Sequence, residues 1–400
     1  MMKDAAKATV AIPEFPKSPY EFSGLEECHA HYATMRQCPV HHTEALGGFY
    51  SIVRYPDVKA AGLDGKSFSS ATKGVLLPAD PDSPRLWALE QEGRDHMAAK
   101  RLYMEAFAPA RLKALEPRLT EIANGLIDVF AGRGSCDLVE DYAHPLPVLG
   151  VCAAIGVAGV SVDKIRKVSG DFGKDPSRRR EVIAELGGLV MGELMERRAN
   201  PKDDYLTRVA NAELNGRRMD EADLAMFMVG FFTAGHETTS STLSSLLFHT
   251  MQRPDLCKRM MSDDTLLAAA IEETVRLNPP FQAFHRTTTT DVEVSGAVIP
   301  TDSTVRLCYG AANRDPVVFD QPDRFDPERQ TPGHLGFGVG RHVCAGAPLA
   351  RLEIKTAFRT LLARLPDIVL TQDKLEYSFS DGVFAAPLHC HASFTPASPV

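Results

Sequence analysis

The sequence predicts a mainly α-helical single domain with minor β sheets, built around one long central helix. Three observations carry that expectation. Helix-compatible periodicity covers most of the chain between residues 25 and 365. The longest such run, 220–252, is apolar on most faces from Leu224 to Phe232, and a helix apolar all round is a buried one. At ~1.5 Å per residue it would reach close to about 50 Å, the width of the molecule. Strand-rich composition is confined to short stretches at 47–55, 281–307 and 368–394, which interleave with the helices and do not segregate into a second domain.

Taken in order, residues 1–22 are proline-rich and read as an irregular surface arm, with the single domain spanning 23–400. A short helix is expected over 25–37. Residues 47–55 have strand composition and form a hairpin with 40–45, and 56–63 is a short helix entered at a proline. The stretch 68–92 contains Pro78, Pro81 and Pro84 and reads as one long irregular loop; loops of that length are usually functional or mobile. Helices are expected over 94–107, 110–130, 142–157, 161–172 and 178–198, the last with Leu186, Leu189, Val190 and Leu194 on one face. The central run follows, then helices over 254–261 and 264–277. Strands broken at Ser295-Gly296 fill 281–307, a proline-interrupted meander occupies 311–332, and a helix covers 347–365. In the tail, the alternation Leu388-His389-Cys390-His391-Ala392 suggests a final hairpin.

Composition excludes several classes. With 44% hydrophobic and 24% charged residues the chain can bury a sizeable core. A net charge of −8 argues against non-specific nucleic-acid binding. The cysteines at 28, 38, 136, 152, 257, 308, 344 and 390 form no CxxC pair, which argues against zinc and against a disulfide framework and for a reducing compartment. The N-terminal stretch has no long apolar core. The longest apolar run, 225–234, is about half of the roughly 20 residues a membrane helix needs. The expectation is a soluble, cytoplasmic protein with no membrane and no nucleic-acid partner.

The chemistry concentrates in Phe337-Gly338-Val339-Gly340-Arg341-His342-Val343-Cys344-Ala345-Gly346. Glycines let backbone approach a flat or bulky group and leave amides free to point inward. A thiolate at the start of the following helix is stabilised by the dipole and by those amides, as an anionic ligand to haem iron requires. An ordinary small buried cysteine is the alternative, but it leaves the surrounding residues at fixed offsets unexplained. In the middle of the central run stands Ala234-Gly235-His236-Glu237-Thr238-Thr239. Hydroxyls in a helix can bond the i−4 carbonyl and open a polar notch in an apolar wall; a packed polar helix seam is the competing reading. Glu273 and Arg276 share a helix face.

The Cys344 loop, the Ala234-to-Thr239 motif, the Glu273-x-x-Arg276 pair and Asn313-Arg314-Asp315-Pro316 occur in the order and spacing of the cytochrome P450 family, and the chain resembles its soluble bacterial branch over residues 20–395. The resemblance implies the cytochrome P450 fold, with the long central helix over haem b, and a haem-thiolate monooxygenase. Position by position, it implies Cys344 as the iron ligand, with Phe337, Gly338, Gly340 and Gly346 against the porphyrin. Ala234 would lie on the other face. Glu237 and Thr238 match the acid and the oxygen-activating threonine that relay protons to dioxygen. His96, Arg286 and His342 match positions at the haem propionates. Lys100 stands where the bacterial pattern has arginine, a poorer bidentate partner. Glu273 and Arg276 would form a structural triad with Arg329. Arg341, Arg351, Lys355 and Arg359 would offer a basic face to a ferredoxin-type electron donor; a merely solvated helix face is the alternative. The substrate pocket would be walled by the 68–92 loop, Gly230, Ala234, residues 281–284, Val383 and Phe384, and would suit a small hydrophobic molecule. Candidates for a polar anchor of an aromatic acid are Ser69, Ser70 and Arg85. A peroxide-driven or isomerising haem-thiolate enzyme, a non-catalytic haem sensor, and a helical protein without haem are the other readings.

Overall fold

The computed structural model describes residues 12–14, 22–77, 85–158, 161–174, 178–214, 216–330, 333–379 and 382–399. Most of the expected arm over 1–22, and the three prolines of the 68–92 loop, lie outside the described residues. About 53% of the chain is helical and the sheets are small.

The helices Pro109–Phe130 and Ala347–Arg364 lie against one another through the middle of the molecule, as do Arg179–Ala199 and Glu221–Gly235. Leu186, Val190 and Leu194 are fully buried on the inner face of Arg179–Ala199. The largest sheet runs Val40–Thr43, Phe49–Ile52, Thr304–Leu307, Phe284–Thr288, Phe68–Ser69. Its first pair is antiparallel as expected, and Thr304–Leu307 joins Phe49–Ile52 in parallel. Ser295 and Gly296, both at positive φ (47° and 87°), make the tight turn of the hairpin Val292–Val294/Ala297–Ile299.

Three elements differ from expectation. The central run is not one helix. Glu221–Gly235, entered through a reciprocal Asp220–Asp223 capping box, ends at His236 (φ −99°, ψ −65°), and Glu237–Met251 begins anew. The cause is local, since the Thr238 hydroxyl donates to the Ala234 carbonyl at 2.7 Å and occupies an acceptor the helix ladder needs. Second, the expected helix over 142–157 opens as a wider π turn, Val139–Ala143, and becomes regular only over Pro145–Ile155, because Pro145 has no amide to donate backward. Third, the short helix Tyr205–Ala210, capped by Asp204 accepting from the Thr207 amide at 2.7 Å, and the hairpin Glu213–Leu214/Arg217–Arg218 are too brief to leave a period in the sequence. The tail folds back on itself as expected, with Tyr377–Ser378 antiparallel to Ala386–Pro387 and Val369–Leu370 antiparallel to His391–Ser393. His391–Ser393 lies between Val369–Leu370 and Ser135–Asp137, antiparallel to both. The alternation itself is real, with Cys390 and Ala392 buried and His389 and His391 exposed.

Glu273, Arg276 and Arg329 come together as expected. Arg276 grips both Glu273 oxygens (2.6 and 2.8 Å) and also donates to the carbonyls of Asn313, Pro322 and Arg324. Arg329 Nε reaches Glu273 at 3.2 Å. All three side chains are almost fully buried, so the interaction is one whose breakage, not whose presence, carries the large energy.

His285 sits at the centre of the large sheet, with Nδ1 3.2 Å from the Val75 carbonyl and its ring edge-on to Phe49. Burial, helped by the Arg306 charge, pushes it from 6.5 down to about 3. The folded state therefore refuses a proton that the unfolded chain accepts below ~6.5, and stability is lost as pH falls from there toward 3. Replacing His285→Gln removes this uptake. Denaturant titrations from pH 6.5 to 4 should show a pH slope shallower by up to one proton, worth about 2 kcal/mol at pH 5. An unchanged slope would mean that His285 already titrates in the native state.

Candidate active site

Cys344 is placed by a loop that folds back on itself. Its amide donates to Phe337 O at 2.8 Å, and the Gly338 amide donates to Leu335 O at 2.8 Å. Gly338 and Gly340 adopt left-handed conformations (φ 75° and 73°), which glycine reaches without steric cost. The reason differs from the one expected for Gly340. A Cβ there would stand 2.6 Å from the Gly62 carbonyl, so this glycine seats the loop on the helix Tyr55–Leu63, whereas Gly338 lines the cavity. Cys344 Sγ faces the amides of Gly346 and Ala347 at the start of Ala347–Arg364. Burial pushes its thiol up, against the pull of these amides and of the Lys100 and Arg351 charges. Its remaining exposure opens onto the cavity, which Cys344 lines. Phe337 is braced from behind by the Arg351 guanidinium, 4.6 Å from its ring centre.

That cavity holds about 530 Å³ and joins the expected thiol, the acid–hydroxyl pair and the four expected propionate-side residues, but not Gly340 or the expected polar anchors. Cys344, Phe337, Gly338 and Gly346 form one wall; Ala234, Glu237 and Thr238, at the helix break, form another. The break depends on close packing. A Cβ on Gly235 would come within 2.8 Å of Val151. His236, which the sequence left without a role, is buried there, with its ring edge-on to His144 at 6.2 Å. Burial, then the charges of His144 and Arg166, push it down to about 3.

His96, Lys100, Arg286 and His342 gather along one side of the cavity. The His96 and His342 rings are 4.4 Å apart. His96 nitrogens lie 2.8 Å from Ala88 O and 3.0 Å from Arg341 O, while Lys100 Nζ donates to Arg341 O and, at 2.8 Å, to Val343 O. His342 Nε2 meets the Ser70 hydroxyl at 3.0 Å. Arg286 is buried and donates to its neighbour's carbonyl, His285 O, at 2.7 Å. Burial, followed by the charges of Arg286, His96 and Lys100, drives His342 down to about 3. The fixed positive charges of Lys100 and Arg286 make this side favourable to anions.

The apolar walls follow expectation. Phe281 contacts Phe284 and Phe384 (centroids 4.6 and 5.2 Å), and Gln282 N–Val383 O and Ala385 N–Pro280 O bonds zip the two segments together. Leu76, Leu86 and Trp87 bring the 68–92 loop to the same space. Ser69, Ser70 and Arg85 do not line it. Ser69 caps the amides of Ala71 and Thr72, Ser70 serves His342, and Arg85 donates to Thr72 O. On the outer side of the Cys344 helix the expected basic face is partly neutralised. Arg351 pairs with Glu272, and Lys355 and Arg359 share Asp264.

Two acids and one histidine that line the cavity escaped the sequence reading. Glu140 and His144 come from the wide π turn, and they also meet Arg166 at 2.7 and 2.8 Å. Glu353 is 1% exposed, and burial pushes its carboxyl well above the usual range. Neither of its oxygens has a hydrogen-bond partner among the described residues. A signal existed, since Glu353 lies four residues from both Leu349 and Ala357 on the apolar stripe of its helix.

The comparisons with known proteins agree with this geometry. The family model described as cytochrome P450 matches residues 177–384. Cytochrome P450 107B1 of Saccharopolyspora erythraea is 34% identical over 375 residues, covering 89% of this chain and 92% of its own. Vitamin D(3) 25-hydroxylase of Pseudonocardia autotrophica is 33% identical over 372 residues, with 89% and 92% covered. The crystal structure of CYP108D1 from Novosphingobium aromaticivorans superposes with a TM-score of 0.85 at 28% identity, over 93% of this chain and 95% of the other. Likeness in sequence and in fold extends over nearly the whole length, and the chain belongs to the cytochrome P450 family.

Proposed function

We propose that this chain inserts one oxygen atom of O2 into a neutral, hydrophobic organic substrate, taking electrons from a separate ferredoxin-type donor. Residues 23–400 act as one haem domain preceded by the arm 1–22, in the cytoplasm. The observation that carries the reading is the single cavity in which a thiol, an acid–hydroxyl pair and an electropositive side converge.

The family's cofactor is haem b, and the residues fit it. The thiol and its two amides stand at one wall, and the side carrying Lys100 and Arg286 suits carboxylates. Cys344 would ligate the iron, and His96, Lys100, Arg286 and His342 would hold the propionates. Phe337, Gly338 and Gly346 would lie on one face of the ring and Ala234 on the other. Lys100 now spends its donors on loop carbonyls, a role its single flexible ammonium can exchange for a propionate oxygen. When bound, haem supplies the iron at which dioxygen is activated with two electrons and two protons.

The chain's own residues govern those protons and the substrate. The Thr238 hydroxyl, held on Ala234 O, can turn its proton toward the cavity. Glu237, the next residue on the same turn, can replenish it as general acid. The phenylalanine wall holds the substrate and excludes water. The two lysine and arginine side chains that line the cavity, Lys100 and Arg286, belong to the propionate side. With Ser69, Ser70 and Arg85 engaged elsewhere, the walls favour a neutral substrate over an aromatic acid. Named relatives act on related chemistry. One is an erythromycin C-12 hydroxylase and another a mycinamicin IV hydroxylase/epoxidase. Outside the cavity, Arg341, Arg351, Lys355 and Arg359 are four cations against two carboxylates, Glu272 and Asp264, which leaves a positive surface for an acidic donor.

Three outcomes test this. The reduced, haem-loaded protein with carbon monoxide should show the strongly red-shifted Soret band of thiolate ligation, and Cys344→His should lose it; a histidine-type spectrum in the parent would remove Cys344 as ligand. Thr238→Ala should consume NADH, in a system reconstituted with ferredoxin and reductase, at a rate within about threefold of the parent while product falls at least tenfold and peroxide accumulates. Tight coupling in this variant would take Thr238 out of the relay. In a ligand panel, neutral macrolides, steroids and terpenes should give low-to-high spin shifts at concentrations at least tenfold below those of substituted benzoic acids. The opposite order would restore a carboxylate anchor.

A further inference from the structure

The alternating tail, His389-Cys390-His391, plays no part in the oxygen chemistry. Its strand, His391–Ser393, is the middle strand of a three-stranded sheet. Because Cys390 and Ala392 point into the core, His389 and His391 emerge together on the solvent face. The register sets His391 directly opposite Asp137 on the neighbouring strand. The two imidazoles are parallel (9°) with centroids 5.4 Å apart, and His389 Nδ1 is 2.6 Å from Asp137 Oδ2. One ligating atom from each of the three residues lies within 4.8 Å of the others.

The backbone beneath them is fixed. Gln372 Nε2 donates to His389 O at 3.0 Å, and its Oε1 accepts the His391 amide at 2.8 Å. Asp137 Oδ1 is held by the amides of Val139 and Cys390, which leaves Oδ2 turned toward the histidines. These constraints align the three side chains and leave their outer ends in water.

We propose that Asp137, His389 and His391 bind a borderline divalent cation, zinc or copper(II), on the surface of this sheet. Two imidazoles and one carboxylate select such ions over calcium or magnesium, which prefer all-oxygen shells. Bound ligands of one zinc stand ~2.0–2.2 Å from it, so the cation displaces the Nδ1 proton and the exposed His389 ring shifts slightly outward. Three protein ligands leave an open position for water. The ion staples the last strand to Ser135–Asp137, immediately after residues Ala386, Pro387 and Leu388, which line the cavity. Occupancy thus stiffens one wall of the site from outside.

The test uses the haem-loaded, full-length protein, freed of metal with a chelator. Calorimetric titration with zinc should give one saturable site with a dissociation constant in the micromolar range. Copper(II) should give an electron paramagnetic resonance spectrum with hyperfine coupling to two imidazole nitrogens. His389→Ala and His391→Ala, both on exposed side chains, should each weaken zinc at least tenfold, whereas His42→Ala on a different sheet should not. Absence of saturable binding up to millimolar zinc, or equal affinity in the two strand variants and the parent, would overturn the site.

Discussion

The buried guanidinium of Arg276 is the interaction on which the cysteine side of this molecule depends. A planar group with five donors cannot be left unpaired in an apolar interior. Here its partners are the Glu273 carboxylate and three carbonyls from 313–324. The meander has almost no regular structure of its own, so these bonds replace a ladder. The motif Asn313-Arg314-Asp315 passes the constraint on. Asn313 Oδ1 accepts the Leu335 amide at 2.7 Å, Arg314 donates to Leu277 O, and Asp315 accepts the Tyr55 amide at 2.9 Å. Leu335 O in turn receives the Gly338 amide, and Tyr55 opens the helix on which Gly340 rests. Cys344 is therefore located by a chain of hydrogen bonds that starts about seventy residues earlier.

The opposite wall is governed by a different constraint, the interruption between Gly235 and Glu237. A regular helix would point every carbonyl along its axis and present a closed apolar face. The Thr238 hydroxyl on Ala234 O, with Gly235 pressed against Val151, converts that face into a polar notch. The flanking segments are held firmly, by the Asp220–Asp223 box at one end and by the fully buried residues Leu243, Leu246 and Leu247 beyond the break. Irregularity in this run is thus confined to the one turn that carries Glu237 and Thr238.

Much of this was legible in the sequence. Long amphipathic helices declare themselves by period, and the glycine–cysteine loop and the Glu237-Thr238 pair declare themselves by residue type at fixed spacing. What stayed hidden is non-local. The break at His236 is a competition between a hydroxyl and an amide for one carbonyl, and periodicity sees neither. Glu140 and His144 reach the cavity only because Pro145 forces a wide turn before its helix. The alternation of the tail and its hairpin were visible, but the second partner of its last strand, Ser135–Asp137, lies some 250 residues away and leaves no local signal. The two carboxylates that share the basic residues of the Cys344 helix likewise belong to a separate helix, Asp264–Leu277, and to no nearby stretch of chain.

Under the proposed reading, the polarity of the cavity would orient a flat, dianionic cofactor. Positive charge is gathered along one side by Lys100 and Arg286, with His96 and His342 between them. The acid–hydroxyl pair sits across from the thiol, and the phenylalanine wall carries no charge. Carboxylates placed against Phe281 and Phe384 would find no charged side chain to replace their water. Glu353 does not disturb this pattern. It enters the cavity from the helix that begins beside Cys344, yet burial pushes its carboxyl well above the usual range and so disfavours a charge there. Negative charge on that wall is thereby reserved for the sulfur, where a cationic iron can compensate it. The same logic explains why His342 tolerates the neighbouring charges of Lys100 and Arg286, because burial and those charges push it down.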